Sequence, residues 1–206
     1  MQDIKENISD TQAKILQAAK TVFTRKGYDG ASMQAIAREA GINKALLHYY
    51  YRSKDNLFDA VFHETFMMVF PDIESIFQNP QIPVFDKLRI FADKYITLLS
   101  ENSFIPVFIL QELTRNPERI AQLIENVGIQ PFSIVSQIES AIEAGLIRRI
   151  DPRQVIINLL SLCVFPIVAR PLLLKVFFQG DESQYQIFIE ARKREVPEFL
   201  INSIKT

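Results

Sequence analysis

Apolar residues recur in this chain at the three- and four-residue spacing of one helix face. Ile15, Ala18, Ala19, Val22 and Phe23 stand at i, i+3, i+4, i+7 and i+8, a pattern that predicts a first amphipathic helix. Ser9-Asp10-Thr11-Gln12 has the form of a capping box at its start, and Gly27 supplies a stop. Ser32 is placed to cap a second helix with an inner face of Ile36, Ala37 and Ala40. Asn43 is placed to cap a third and Ser53 a fourth. Gly41, Ile42 and Asn43 alone separate the second helix from the third. This outline is that of a helix-turn-helix, whose second helix enters the DNA major groove. The three apolar faces are small, so the head is expected to lean on the fourth helix through Leu57, Phe58 and Val61.

Periodicity continues to the end of the chain and predicts further helices near 54–78, 84–101, 103–115, 117–126, 130–146, 152–177 and 183–204. Prolines 80, 83, 117, 131 and 152 lie at or near their starts, where a missing N–H is harmless. Pro106 fits a first turn. Pro166 and Pro171 fall inside an apolar run and are expected to kink it. With six glycines in 206 residues and no tryptophan, the expected fold class is all-α: a three-helix head followed by a helical body. The most apolar stretch, Leu159–Ala169, is 11 residues long. A membrane span needs about 20, so a buried helix is expected and no membrane partner.

Composition alters this picture in three ways. Hydrophobic residues make up 48% of the chain, well above what a disordered chain carries. The net charge of −1 hides an asymmetry: residues 9–54 hold eight lysines and arginines against three acids, whereas residues 55–206 hold 14 against 19. A basic first quarter on an acidic remainder suits a nucleic-acid-binding head. The single Cys163 excludes an internal disulfide, fits a reducing cytoplasm and reads as a core residue. The polar start MQDIKENISD is unlike a signal peptide. Two histidines and one cysteine make a metal site improbable. No Gly-rich phosphate loop, nucleophile elbow or catalytic constellation is present, so neither an enzyme nor a cofactor is expected.

Residues 15–58, ILQAAKTVFTRKGYDGASMQAIAREAGINKALLHYYYRSKDNLF, closely resemble the DNA-binding domain of tetracycline-repressor-like (TetR family) regulators. The shared positions are Ile15-Leu16, Ala18-Ala19, Phe23, Gly27-Tyr28, Ser32, Ile36-Ala37, Ala40 to Asn43, Leu47, Tyr50-Tyr51, Ser53-Lys54 and Leu57. The resemblance implies a DNA-binding domain over residues 1–53 and an effector-binding and dimerisation domain over 54–206. It further implies a homodimer on a palindromic operator, paired through the last two helices as a four-helix bundle, and a small-molecule effector. Carried over by position, Ser32, Met33 and Lys54 face phosphates. Asn43, Lys44, Ala45, Leu46, His48, Tyr49 and Tyr50 present the recognition surface to double-stranded DNA. His48 and Ala45 depart from the residues usual in the family, tyrosine and glycine, so an operator cannot be borrowed from a relative.

An effector cavity needs an apolar lining with few polar groups. Candidates are Phe91, Tyr95, Phe104, Phe108, Phe132 and Phe165, with Gln111 and Glu112 as polar anchors. Such a lining favours an apolar or aromatic ligand, with Glu112 leaning towards a cationic one. An aromatic stripe at helical spacing is more often ordinary core than pocket. Two other readings stay open on sequence alone: a helix-turn-helix protein that binds protein partners, and an all-helical enzyme or lipid carrier.

Overall fold

The computed structural model describes residues 2–67, 70–126 and 131–206. Among these, twelve helices form: α1 (Gln2–Gly30), α2 (Met33–Glu39), α3 (Lys44–Tyr50), α4 (Lys54–Met67), α5 (Phe70–Gln78), α6 (Val84–Glu101), α7 (Phe104–Arg115), α8 (Pro117–Asn126), α9 (Pro131–Glu143), α10 (Pro152–Val168), α11 (Arg170–Val176) and α12 (Glu182–Ile204). The all-α expectation therefore holds. α8, α9 and α10 each begin on the proline that the sequence marked as a start. Residues 68 and 69, which a continuous 54–78 helix would include, lie outside the described residues.

Two compact units divide the chain. One comprises Met1–Met68 with Val107–Val127, the other Val69–Pro106 with Gly128–Thr206. In the first, α1 runs through Ser9 instead of starting there. Nothing between Gln2 and Asn7 breaks a helix, so the capping box is overrun. Gly27 ends the regular part of α1 with φ +67°, a left-handed conformation open to glycine at no steric cost. The core is the face read from the sequence: Ile15, Ala19, Val22, Phe23, Ile36, Ala37 and Leu47 are buried together with Leu57, Phe58 and Val61. Phe58 is its hub. Its ring lies edge-on to Phe23 and to Tyr28, both at 5.2 Å between centroids, and 3.8 Å from that of Phe108.

In the second unit, Leu88, Ala92, Ile96 and Leu99 of α6 pack with Val155, Leu159, Cys163 and Ile167 of α10. Tyr185, Ile189, Val196, Leu200 and Ile204 of α12 complete this core. Cys163 is a core residue, and burial pushes its thiol up to about 12. The last turn of α12 is pinned: the Arg148 N–H donates to the Ile204 carbonyl at 2.8 Å and Arg148 Nε to that of Ser203 at 2.8 Å.

The apolar run 152–177 is bent by 66° between α10 and α11, and its two prolines explain where. Pro171 cannot donate to a carbonyl one turn back, so the run breaks at Ala169. Pro166 stays inside α10 and leaves the Leu162 carbonyl without its helical donor. Arg192 of α12 takes that place, its Nη2 lying 2.7 Å from the Leu162 oxygen. The Tyr185 hydroxyl likewise donates to the Pro166 carbonyl at 3.0 Å. No single helix among the described residues is long and apolar enough to cross a membrane.

If Arg192 substitutes for the missing amide, Arg192→Met destabilises the chain less once Pro166→Ala has restored the N–H. Urea unfolding of the two single variants and the double variant should show a coupling of about 1 kcal/mol.

Candidate nucleic-acid interface

The turn between α2 and α3 closes on itself. The Gly41 N–H donates to the Arg38 carbonyl at 3.2 Å and the Ile42 N–H to that of Ala37 at 3.0 Å. This paired closure needs a left-handed residue after the helix. Gly41 provides it with φ +68°, strained for any L side chain. Asn43 then caps α3 through its Oδ1, which accepts from the Leu46 N–H at 2.7 Å. Ser32 caps α2 in the same way from Ala35 N–H at 3.2 Å, and Ser53 caps α4 from Asn56 N–H at 3.0 Å. Each cap falls on the residue that the sequence nominated.

On α3 the faces separate cleanly. Leu47 is 0% exposed and anchors the helix in the core, with Tyr51 half-buried one turn on. Lys44, Ala45, Leu46, His48 and Tyr49 are exposed, Tyr49 to 80%, and Tyr50 is half-buried with its ring edge-on to Tyr49. Asn43 and Ser32 are exposed at their caps, and Met33 is half-buried. His48 Nδ1 lies 3.2 Å from the Arg52 carbonyl, which can only accept, so Nδ1 is the donor in that contact.

Lys54 sits differently from a free phosphate contact. Its ammonium donates to the carbonyls of Tyr28 at 2.8 Å and Ala31 at 3.2 Å and stands 4.3 Å from the Tyr28 ring centre. Two of its three donors thus tie α4 to the turn that leads into Ser32. Three more basic residues of the head are committed to acids: Lys14 to Asp10, Lys20 to Glu64 and Arg25 to Glu39. Lys26, Arg38, Lys44 and Arg52 are exposed with no ion-pair partner among the described residues. Lys26, Arg38 and Arg52 stood outside the nominated set because exposure, not sequence, singles them out.

A cluster invisible in the sequence lies at the start of α4. The Tyr28 hydroxyl donates to Asp55 Oδ1 at 2.6 Å, and Arg119 of α8 reaches the same oxygen at 2.8 Å. The Tyr28 hydrogen bond, and then the Arg119 charge, hold the Asp55 carboxyl below the ordinary carboxylate range. Burial and Asp55 together push the Tyr28 hydroxyl up. Arg119 also meets Asp59 at 2.7 Å and Glu112 at 3.4 Å. Residues 55 and 119 are far apart in the chain, and no periodic signal pairs them.

The nominated effector residues occupy varied settings. Phe91 stacks on Tyr95 at 5.2 Å and meets Phe77 edge-on at 6.1 Å; burial pushes the Tyr95 hydroxyl up. Phe104 is buried at the start of α7. Phe108 is part of the aromatic core around Phe58, Gln111 is exposed, and Glu112 is buried with its charge met by Arg119. That pairing removes the reason for a cationic ligand at Glu112. Phe165 is 62% exposed on α10. The side chain of Phe132 lies outside the described residues. A cavity of about 120 Å³ within the first unit is lined by Asp59, Phe62, His63, Arg119, Gln122, Leu123 and Asn126.

Residues 15–61 match the family model of the bacterial regulatory proteins of the tetR family. The HTH-type transcriptional regulator YhgD of Bacillus subtilis is 26% identical over 165 residues, covering 75% of this chain and 81% of that protein. IcaR of Staphylococcus aureus, the HTH-type negative transcriptional regulator of the icaADBC biofilm operon, is 29% identical over 111 residues. That alignment covers 52% of this chain and 56% of IcaR. In fold, the chain matches the regulator FadR from Bacillus subtilis in complex with stearoyl-CoA, with a TM-score of 0.67 at 18% identity over 92% of this chain and 97% of that one. A TetR-family regulator from Mesorhizobium loti gives a TM-score of 0.62 at 24% identity, over 96% and 98%.

The division of α3 into a buried anchor and an exposed face has a direct consequence. Leu47→Ala should lower unfolding free energy by about 2–5 kcal/mol, the range for a fully buried leucine. Tyr49→Ala should move it by less than about 0.5 kcal/mol. Equal destabilisation by the two would contradict the exposure of Tyr49.

Proposed function

This chain belongs to the tetR family of DNA-binding transcriptional regulators, not to a family of enzymes, and we propose that it is a repressor released from DNA by a small-molecule effector. In this reading residues 1–53 form the DNA-binding domain and residues 54–206 the effector-binding and dimerisation domain. A cytoplasmic homodimer sits on a palindromic operator. The observation that carries the reading is the exposed face of α3, where Lys44, Ala45, Leu46, His48 and Tyr49 stand clear of a core that holds Leu47.

The chemistry of that face suits a duplex groove. Lys44 adds screened attraction to phosphate and can reach guanine, Ala45 and Leu46 can meet thymine methyls, and His48 can donate to a phosphate or accept from a base. The N-termini of α2 and α3, with Ser32 and Asn43, offer backbone donors that fix register on phosphates. The negative regulation that IcaR exerts on its operon favours repression.

Dimerisation through the bent 152–177 run and α12 is favoured by large apolar side chains left on the surface there. Ile157 and Phe165 of α10, Leu172 and Val176 of α11, and Ile187 and Phe199 of α12 are all exposed. A patch of this kind marks an interaction surface. For the effector, the stacked Phe91 and Tyr95 favour an apolar or aromatic ligand, as does the stearoyl-CoA in the FadR complex. Half-sites one turn apart place equivalent points of the two heads about 34–36 Å from each other. An effector that alters this separation by a few ångströms lowers affinity without touching a DNA contact.

Gel-shift titration with a palindromic upstream sequence tests the reading, and binding no tighter than to random DNA would sink it. Lys44→Ala and Tyr49→Ala should each weaken operator binding by about 1–3 kcal/mol per base-reading contact. Phe199→Glu, at a residue 67% exposed, should shift sedimentation towards the monomer; an unchanged dimer would place the interface elsewhere.

A further inference from the structure

One guanidinium in the first unit is surrounded by carboxylates. Arg119, third residue of α8, has a side chain only 15% exposed. It binds Asp55 and Asp59, which stand one turn apart at the start of α4, and Glu112 of α7. Its guanidinium carbon also lies 5.1 Å from the Phe108 ring centre. Burial opposes its charge, but the hydrogen bond and charge of Asp59 outweigh that and hold it cationic.

The bonds do not stop at α4. Asp55 accepts from the Tyr28 hydroxyl, and the Tyr28 carbonyl is held by Lys54, the first residue of α4. Arg119, Asp55, Tyr28 and Lys54 therefore make one connected set, which ends at the turn leading into Ser32, the cap of α2. On the other side, only residues 51–53 separate the last residue of α3 from Lys54. The start of α4 thus fixes both the exit of the recognition helix and the entry of the helix before it. Without the guanidinium, three carboxylates face one another with their common cation gone. Like charges at this range repel, and partly buried ones are weakly screened.

We infer that Arg119 is a positioning residue for DNA recognition: from α8, it sets the placement of α4 and through it the α2–α3 pair, without touching DNA. The inference rests on the DNA-binding reading of α3. It also gives residues 107–127 a hold on the head that their distance in sequence conceals, because they fold into the same compact unit.

The test uses the full chain with Arg119→Met and Arg119→Lys beside Lys44→Ala. Arg119→Met should weaken operator binding by about threefold to thirtyfold, the span of a coupling residue that contacts no ligand. Its plot of log affinity against log salt should run parallel to wild type, whereas Lys44→Ala should lose about 0.9 in slope for each phosphate contact removed. Amide exchange in Arg119→Met should rise in the first turns of α4 and around Tyr28–Ala31 and stay unchanged in the α1 core. Arg119→Lys should recover part of the affinity. The inference is overturned if Arg119→Met binds as wild type does, if it lowers the salt slope as a phosphate contact would, or if exchange rises evenly throughout the first unit. Wild-type protein without specific DNA binding would instead sink the regulator reading, and the exchange pattern alone would then decide whether Arg119 holds α4.

Discussion

A seven-residue helix cannot hold its own shape in water, and the function of this molecule rests on one. Isolated helices shorter than about 12–15 residues are marginal because nucleation fixes several residues for a single hydrogen bond. α3 therefore exists only as far as its surroundings impose it. Leu47 pins one side into the core, Asn43 closes the first turn, and the left-handed Gly41 sets the angle at which the chain enters. A single apolar anchor leaves the other positions free to carry lysine, histidine and tyrosine without loss of packing. The economy of the anchor and the openness of the opposite face are one arrangement.

The same constraint explains the charge pattern around it. A basic head gains from each cation that faces DNA, but cations also hold the head together. Lys54 ties α4 to the Tyr28–Ala31 turn, and Arg25 and Lys20 bind acids on other helices. The surplus left to act on a polyanion is smaller than the composition of residues 9–54 suggests. It lies on Lys26, Arg38, Lys44 and Arg52. Counting charges along a sequence finds the head; only partners in space separate the cations that build it from those that can serve it.

In the second unit, backbone chemistry sets the terms. Two prolines in a nearly all-apolar run force a break and leave a carbonyl orphaned inside a packed interior. Arg192 of α12 answers with a donor aimed at that oxygen, and Tyr185 of the same helix donates to the Pro166 carbonyl. A run that reads as one long greasy helix becomes a bent pair locked to its neighbour, with apolar residues such as Ile157 and Phe165 left facing outward.

Local rules were enough to reveal much of this. Helix content, the caps at Ser32, Asn43 and Ser53, the stops at Gly27 and Gly41, and the burial of Leu47 and Phe58 all follow from spacing and side-chain chemistry within a few residues. So does the exposed outer face of α3, because an amphipathic period names its outer face as surely as its inner one. The capping box at Ser9 failed because a cap is only a preference, which a continuing helix overrides. The pairing of Arg119 with Asp55 and Asp59, the tether on Lys54 and the inclusion of residues 107–127 in the first unit were decided by tertiary structure alone. Each joins residues far apart along the chain, and a contact of that range leaves no trace in the order of amino acids.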